Sequence, residues 1–279
     1  MKIAFSPCPN DTFVFHACVH GLIPDAPELE VTYADIDITN NWAASGNGPD
    51  ILKVSYAALP WLLSEYALIP CGGALGRGCG PLVLTNRPEA ALQGASSLSG
   101  KRVAVPSERS TAYLLFRLWA AQQVPGGVGE IVVMPFHEIM PAVRDGVIDA
   151  GLVIHEARFT YQNYGLTLLA DMGSWWESDT GLPIPLGAII ARRTLDGEAI
   201  ARWIRDSVEY AWAHPEASRD YVLHHAQELD PTVAQAHIDL YVNEFTADLG
   251  EAGYAAVEAL LGRAAREGLV PAVDLAALR

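Results

Sequence analysis

The chain has 279 residues, of which 51% are hydrophobic and 18% are charged, and its formal net charge is −15. This apolar content is enough to bury one large core or two medium ones, which excludes an intrinsically disordered chain. The acidic balance argues against a surface that binds nucleic acid or an anionic membrane, since both require clustered Lys and Arg. The sequence has no uncharged apolar run of about 18 residues, so we predict a soluble protein without a membrane span.

The amino-terminal sequence gives an indication of the cellular compartment. Residues 1–5 are mostly apolar, but the chain turns polar at Ser6, so the apolar run is far shorter than a secretory signal requires. We therefore expect a cytoplasmic protein. The four cysteines do not have C-x-x-C spacing, which favours buried thiols over a metal site or a disulfide framework. They are Cys8, Cys18, Cys71 and Cys79.

Short β-type runs alternate with helical stretches in the first part of the chain. We predict strands at 2–5, 29–33, 50–54 and 80–85, and helices at 12–20 and 56–66. A Gly/Ser-rich stretch at 93–100 is typical of a junction between two units. Alternation of this kind predicts parallel sheets whose faces are covered by helices.

The alternation restarts after this junction. We predict strands at 102–106, 131–134, 150–154, 166–170 and 186–191, and helices at 111–122 and 138–145. Gly146 follows a helix where a C-terminal cap belongs, and Asp230 before Pro231 is typical of a helix start. From Leu195 onward the pattern is helical. The sequence therefore predicts two α/β units followed by a helical tail.

Polar residues directly follow four of the predicted strands. In open parallel sheets, ligands bind beyond the carboxyl ends of the strands, so these positions are candidates for a site. The four sets are 6–12, 53–56, 107–111 and 155–160. Because each set is rich in hydroxyl, amide or titratable groups, we predict a polar cleft between two lobes.

Hydroxyl residues in two of these sets precede predicted helices. Ser55, and Ser110 with Thr111, lie where free backbone N–H groups and the positive end of the helix dipole favour an anion such as a carboxylate. Ser and Thr are also common N-caps, so plain capping is the alternative at each position. The residues alone leave both interpretations open.

Histidines offer two further candidates. His155 ends an apolar strand and is followed by Glu156 and Arg158. Imidazole titrates near neutrality, which suits His155 to proton transfer, whereas a structural histidine at a strand end is the alternative. His16 and His20 lie four residues apart on a predicted helix, but a third ligand is not close in the sequence, so a metal site is not favoured.

The segment GGALGRGCG at 72–80 is rich in glycine. It lacks the Lys-Ser/Thr ending of a P-loop, and its glycine spacing does not match a dinucleotide-binding turn. We interpret it as a cleft wall in which glycine allows close backbone approach.

Six segments in order along the chain resemble the 1,4-dihydroxy-6-naphthoate synthases, a family of the futalosine route to menaquinone. They are FSPCPNDTFVFHACVHG at 5–21, KVSYAA at 53–58, GGALGRGCGPLV at 72–83, STAY at 110–113, HEARFTY at 155–161 and GLPIPLGAIIARR at 181–193. The resemblance extends from residue 3 to the YVNEF at 241–245 and so covers most of the chain.

The resemblance implies an α/β fold with two lobes and a central cleft, like that of the type II periplasmic binding proteins. We expect one lobe at 1–88 and 189–279, including the helical tail, and the other at 89–188. The implied reaction converts cyclic dehypoxanthine futalosine into 1,4-dihydroxy-6-naphthoate and releases dihydroxyacetone, so the enzyme would be a carbon–carbon lyase. The resemblance implies no cofactor and no metal.

The resemblance also assigns residues. The histidine of its H-E-x-R-F motif, the implied proton acceptor, falls on His155. Its substrate segments, K-x-S and a pair of hydroxyl residues, fall on Lys53, Val54, Ser55, Ser110 and Thr111. We expect the hydroxyl groups to anchor the carboxylate of a small-molecule substrate. The sequence does not indicate an oligomeric state.

Two alternatives share the expected fold. A non-catalytic solute-binding protein would carry a leader peptide and would need no proton acceptor. The chorismate dehydratase of the same route would not be expected to carry HEARF and GGALGRG in this order. A ligand-sensing regulator is disfavoured, because it would need room for a DNA-binding domain.

Overall fold

Two compact units make up the chain. The structure, a computed structural model, describes residues 1–226 and 230–279. Unit 1 comprises Met1–Gly76 and Pro185–Arg279, and unit 2 comprises Arg77–Ile184. Each unit contains one β-sheet, and its strands and helices are numbered in chain order.

Unit 1 is built on a mixed five-stranded sheet. Its strands are β1 (Lys2–Phe5), β2 (Glu30–Tyr33), β3 (Ile51–Ser55), β4 (Tyr66–Gly76) and β10 (Ile184–Arg192). They lie in the order β2-β1-β3-β10-β4, with β1 parallel to β2 and β3, and β10 antiparallel to β3. Because β1 and β3 are parallel, their carboxyl ends lie at one edge of the sheet.

The helices of unit 1 come from both ends of the chain. They are α1 (Pro9–Val19), α2 (Ile36–Ala44), α8 (Gly197–Ala213), α9 (Arg219–His225), α10 (Pro231–Tyr241), α11 (Glu244–Ala247) and α12 (Gly250–Arg266). The core includes Phe5 of β1 stacked on Phe15 of α1, with ring centroids 4.7 Å apart. Asp230 caps α10 as predicted, since its carboxylate accepts a hydrogen bond from the backbone N–H of Thr232 at 2.7 Å.

Unit 2 repeats this plan in a shorter segment. Its strands are β5 (Leu82–Thr85), β6 (Val103–Val105), β7 (Ile131–Val133), β8 (Ala150–Val153) and β9 (Thr167–Asp171). Its helices are α3 (Pro88–Gln93), α4 (Thr111–Gln123), α5 (Phe136–Arg144), α6 (Ala157–Thr160) and α7 (Met172–Thr180). The strand order is β7-β6-β8-β5-β9, with β6 parallel to β7 and β8, and β5 antiparallel to β8 and β9.

Both sheets are mixed, whereas the sequence predicts parallel sheets. The antiparallel strands β5 and β10 each enter a sheet after the chain has passed from one unit to the other. A local β-α-β crossover, which requires parallel pairing, therefore does not constrain them. The strands β1, β2 and β3, and likewise β6, β7 and β8, follow such local connections and are parallel as predicted.

The unit boundaries differ from the expected division at 88/89 and 188/189. Strand β5 belongs to unit 2 because it pairs with β8 and β9, so the first boundary follows Gly76. The Gly/Ser-rich stretch at 93–100 is not a junction between units. It contains the end of α3 and a short 3-10 helix inside unit 2.

One predicted helix is wrong. The predicted helix at 56–66 is a short 3-10 helix, Tyr56–Trp61, followed by β4 from Tyr66. Pro60 lies inside it and cannot donate a backbone hydrogen bond, which disfavours a continued α-helix. The first part of the glycine-rich segment lies in β4, where close backbone approach occurs as predicted. A Cβ at Gly73 of β4 would lie 2.7 Å from the carbonyl oxygen of Gly187, so glycine permits close approach to β10.

Other observations bear on the cysteines and on membranes. All four cysteines are reduced and buried as predicted, and burial raises the pKa of the Cys71 and Cys79 thiols to about 12. Within residues 1–226 and 230–279, every helix is too short or too polar to cross a membrane.

Candidate active site

The K-x-S segment occupies the end of β3. Successive side chains of a strand point to opposite faces, so Lys53 and Ser55 share one face and Val54 points to the other. All three residues are buried. The spacing of two along the strand thus brings both polar side chains to the same face.

Ser55 is held by an asparagine from α2. The amide nitrogen of Asn40 donates to the Ser55 hydroxyl oxygen at 3.0 Å, and the Ser55 backbone N–H donates to the Asn40 amide oxygen at 2.8 Å. Ser55 makes no side-chain capping bond to the 3-10 helix that follows. The capping interpretation is therefore wrong at this position, and the hydroxyl proton stays available for an acceptor.

Lys53 forms a buried ion pair with Asp11. Its ammonium group donates to Oδ1 of Asp11, and the side chains are only 6% and 3% exposed. Asp11 lies in the first turn of α1, where the helix dipole favours an anion. An ammonium group has three donors, and Asp11 takes one of them. Among the residues that the structure describes, Lys53 has no second acceptor, so two donors remain for a ligand.

Gly187 of β10 makes room for the lysine side chain. It is paired with Ser55 across the antiparallel ladder, and a Cβ there would lie 2.9 Å from Cε of Lys53. Any larger residue at position 187 would therefore displace the Lys53 side chain. This accounts for one glycine of the GLPIPLGAIIARR segment.

The hydrogen bonds continue from Asp11 to a residue far along the chain. The amide nitrogen of Asn10 donates to Oδ1 of Asp11 at 2.8 Å. The amide oxygen of Asn10 lies 3.0 Å from Nε2 of His237 on α10. All of these side chains are buried. Buried polar groups are costly unless they are paired, and these residues pair with one another.

In unit 2, the paired hydroxyl residues begin α4. The Ser110 hydroxyl accepts from the backbone N–H of Tyr113 at 3.1 Å and donates to the carbonyl of Ser107 at 2.9 Å. Ser110 is therefore an N-cap, the alternative that the sequence left open. Thr111 is the first residue of the helix and is buried.

His155 follows β8 and has an unusual backbone conformation. Its φ is +56°, in the left-handed region that residues other than glycine rarely adopt. A conformation of this kind costs roughly 1–3 kcal/mol and concentrates at functional sites. The ring is half-buried and meets the ring of Phe136 edge-on, with centroids 5.3 Å apart.

Glu156 and Arg158 follow this histidine and have different surroundings. Arg158 donates to the Gly80 carbonyl and to Oδ2 of Asp171, both at 2.7 Å. Asp171 in turn caps α7 by accepting from the backbone N–H groups of Gly173 and Ser174. Arg158 thus ties the segment after β8 to the rest of unit 2. Glu156 is buried, with 2% of its surface exposed.

Comparison with known proteins identifies the family. A family model described as menaquinone biosynthesis matches residues 1–266. The chain belongs to the menaquinone biosynthesis family. A relative from Streptomyces coelicolor, named 1,4-dihydroxy-6-naphthoate synthase, is 69% identical over 100% of this chain and 97% of its own length. A relative of the same name from Thermus thermophilus is 47% identical, covering 96% of this chain and 95% of its own length.

Solved structures agree on the fold of this family member. A crystal structure of a protein from Archaeoglobus fulgidus matches with a TM-score of 0.86 and 34% identity, covering 96% of this chain and 98% of that one. The alkanesulfonate-binding protein of Xanthomonas axonopodis matches with a TM-score of 0.72 and 15% identity, covering 98% and 94%. A Candida albicans protein with the generic periplasmic binding protein fold matches at 0.68 and 15%, covering 100% and 93%. The predicted two-lobed α/β fold of the periplasmic-binding-protein type is confirmed.

Sequence reasoning missed two residues that hold the polar groups of unit 1. Asn40 lies 15 positions before Ser55, and His237 lies 227 positions after Asn10. Neither occurs next to a motif, so no local signal points to them. Asp11 does lie in a polar set that follows a strand, which was the available signal for that residue.

Proposed function

We propose that this member of the menaquinone biosynthesis family is a carbon–carbon lyase that converts cyclic dehypoxanthine futalosine into 1,4-dihydroxy-6-naphthoate and dihydroxyacetone. The observation that carries the proposal is the 69% identity, over the full chain, to a relative named 1,4-dihydroxy-6-naphthoate synthase. A biosynthetic role of this kind is also consistent with our expectation of a cytoplasmic protein.

His155 is the proposed proton acceptor. Cleavage of the carbon–carbon bond and aromatisation of the product both require a base to remove a proton. A neutral imidazole is suited to this step near pH 7. The strained backbone at φ +56° supports the assignment, because such a conformation persists only where the surrounding structure holds it.

The substrate-binding residues are proposed to be those that the resemblance assigns. Lys53 and Ser55 support this role with donors that the described protein groups leave unused. The backbone of Val54 pairs with Ala188 of β10, so this residue acts by fixing the strand. Ser110 and Thr111 would bring a hydroxyl pair at the start of α4. The unused donors of Lys53 and Ser55 suit a ligand rich in carboxylate and other oxygen acceptors.

A solute-binding protein of the same fold is the second candidate. The structures of the alkanesulfonate-binding and generic binding proteins favour it at the level of the fold alone, since their identity to this chain is 15%. Such a protein would bind its ligand and release it unchanged.

Incubation of the purified protein with cyclic dehypoxanthine futalosine tests the proposal. We expect stoichiometric formation of 1,4-dihydroxy-6-naphthoate and dihydroxyacetone, followed by liquid chromatography with mass spectrometry. Chorismate is included as a second substrate to test for dehydratase activity. Binding of the futalosine derivative without turnover, or turnover of chorismate instead, would overturn the proposal.

A further inference from the structure

The buried chain of hydrogen bonds in unit 1 has a defined direction. Asp11 accepts from both Lys53 and Asn10 on the same oxygen, Oδ1. A carboxylate accepts hydrogen bonds only, so the Asn10 amide must turn its nitrogen toward Asp11 and its oxygen toward His237. The Asn10 oxygen accepts as well, so Nε2 of His237 must carry a proton.

Every donor in this chain therefore points toward Asp11. His237 fixes the amide of Asn10, and Asn10 fixes the carboxylate, which in turn holds the ammonium group of Lys53. The helix dipole of α1 acts on the same carboxylate, since Asp11 lies in its first turn. This chain of hydrogen bonds begins at His237 on α10 and ends at Lys53 on β3, so it links the helical tail to the K-x-S segment.

We propose that His237 and Asn10 are positioning residues that act through Asp11 to fix the ammonium group of Lys53 where it contacts the substrate. The inference rests on the proposed function for the identity of that substrate. Neither His237 nor Asn10 contacts the substrate in this account. Their effect is to place the two remaining donors of Lys53, and a displacement of about 1 Å is enough to weaken its contact with the substrate.

If the hydrogen-bond chain has a purely structural role, its loss should change the kinetic parameters differently. Loss of a buried hydrogen bond lowers the amount of folded protein, and this lowers the apparent kcat without changing KM. Loss of substrate positioning at Lys53 raises KM in the protein that remains folded. The ratio of the two kinetic parameters therefore separates the two roles.

The kinetic test uses the full-length enzyme. We expect His237→Leu to lower kcat/KM about 10- to 100-fold, mainly through KM. His237→Gln keeps an N–H donor for Asn10 and should recover most of this loss. Asn10→Leu should match His237→Leu, and the double variant should be no worse than either, because both break the same chain.

Ser207→Ala is the matched control. The Ser207 hydroxyl donates to the carbonyl of Val14 at 2.6 Å, in the core of the same unit but outside the chain. This variant removes a buried hydrogen bond, so we expect a loss of stability with KM unchanged. An unchanged KM in folded His237→Leu protein would overturn the proposal.

A second measurement does not depend on activity or on the substrate. Nitrogen-15 NMR of the histidine-labelled wild-type protein reports which ring nitrogens carry protons, and the spectrum of His237→Gln assigns the signal. We expect a proton on Nε2 of His237, and an Nε2 without a proton would overturn the proposal. If the wild type makes no naphthoate, the proposed function is wrong. The NMR spectrum still tests the direction of the hydrogen bonds independently of that result.

Discussion

The two units present equivalent edges with different chemistry. In unit 1, the ends of β1 and β3 bring α1 and the K-x-S segment together, and in unit 2 the ends of β6 and β8 bring α4 and His155 together. The unit 1 edge holds a buried ion pair that other side chains fix in place. The unit 2 edge carries a half-buried histidine with a left-handed backbone.

We propose from this difference that the two edges have different roles. Hydrogen-bond donors fixed by buried partners suit binding, because they are already oriented and lose little freedom when a ligand arrives. A titratable ring suits proton transfer. In this proposal the same arrangement of strands supports two roles, which depend on the side chains that follow each strand. Substitutions at the two edges test this division, from the largest expected effect to the smallest.

The largest effect is expected at His155. Asparagine tolerates a left-handed backbone and cannot act as a base near neutrality, so His155→Asn should lower kcat about 10²- to 10⁴-fold. The melting temperature should stay close to that of the wild type. Steady-state kinetics and thermal unfolding check both statements.

His137→Asn provides the control for this variant, since His137 is an exposed histidine on α5 in the same unit. Its kcat should equal that of the wild type. A His155→Asn enzyme that retained near-full turnover would remove His155 from the chemistry.

The next effect concerns the buried pair of unit 1. Lys53→Met leaves the Asp11 carboxylate buried without its cation, which should lower the free energy of unfolding by about 3–5 kcal/mol. The double variant Lys53→Met/Asp11→Asn removes both charges and should recover most of this loss. Urea denaturation monitors both. Equal stability of the single variant and the wild type would show that the pair is not desolvated as described.

A smaller effect is expected at Ser55. Ser55→Ala leaves the Asn40 amide buried without its side-chain acceptor, which should cost about 1–3 kcal/mol of unfolding free energy. It should also raise KM, because the hydroxyl donor to the substrate is lost. A stability loss with an unchanged KM would confine Ser55 to a structural role.

The smallest effect separates capping from binding in unit 2. Ser110→Ala removes the N-cap of α4 and should cost about 1 kcal/mol, whereas Ser110→Gly should cost only a few tenths. If the hydroxyl also binds substrate, both variants should raise KM by the same factor. Urea denaturation and steady-state kinetics of the two Ser110 variants distinguish these roles. An unchanged KM in both variants would show that Ser110 acts only as a helix cap.

Local patterns predicted much of the fold but not the pairing of distant strands. The alternation of strands and helices, the cap at Asp230 and the left-handed Gly146 follow from residues close in sequence. The antiparallel strands β5 and β10 do not, because their partners lie far along the chain.

The candidate site divides in the same way. The positions of Lys53, Ser55 and His155 at strand ends follow from local pattern. The partners that hold the unit 1 groups, Asn40 and His237, come from elements that tertiary folding alone brings near. Neighbouring sequence therefore indicates which groups could act, and the fold determines how each one is held.

The central proposal is that Ser55 of unit 1 binds the substrate and that His155 of unit 2 accepts the proton. Equilibrium binding and single-turnover rates, measured side by side on Ser55→Ala and His155→Asn with cyclic dehypoxanthine futalosine, test it most directly. The account predicts that Ser55→Ala weakens binding with a nearly unchanged rate at saturation, and that His155→Asn abolishes the rate with nearly unchanged binding. Loss of the same quantity in both variants would contradict it.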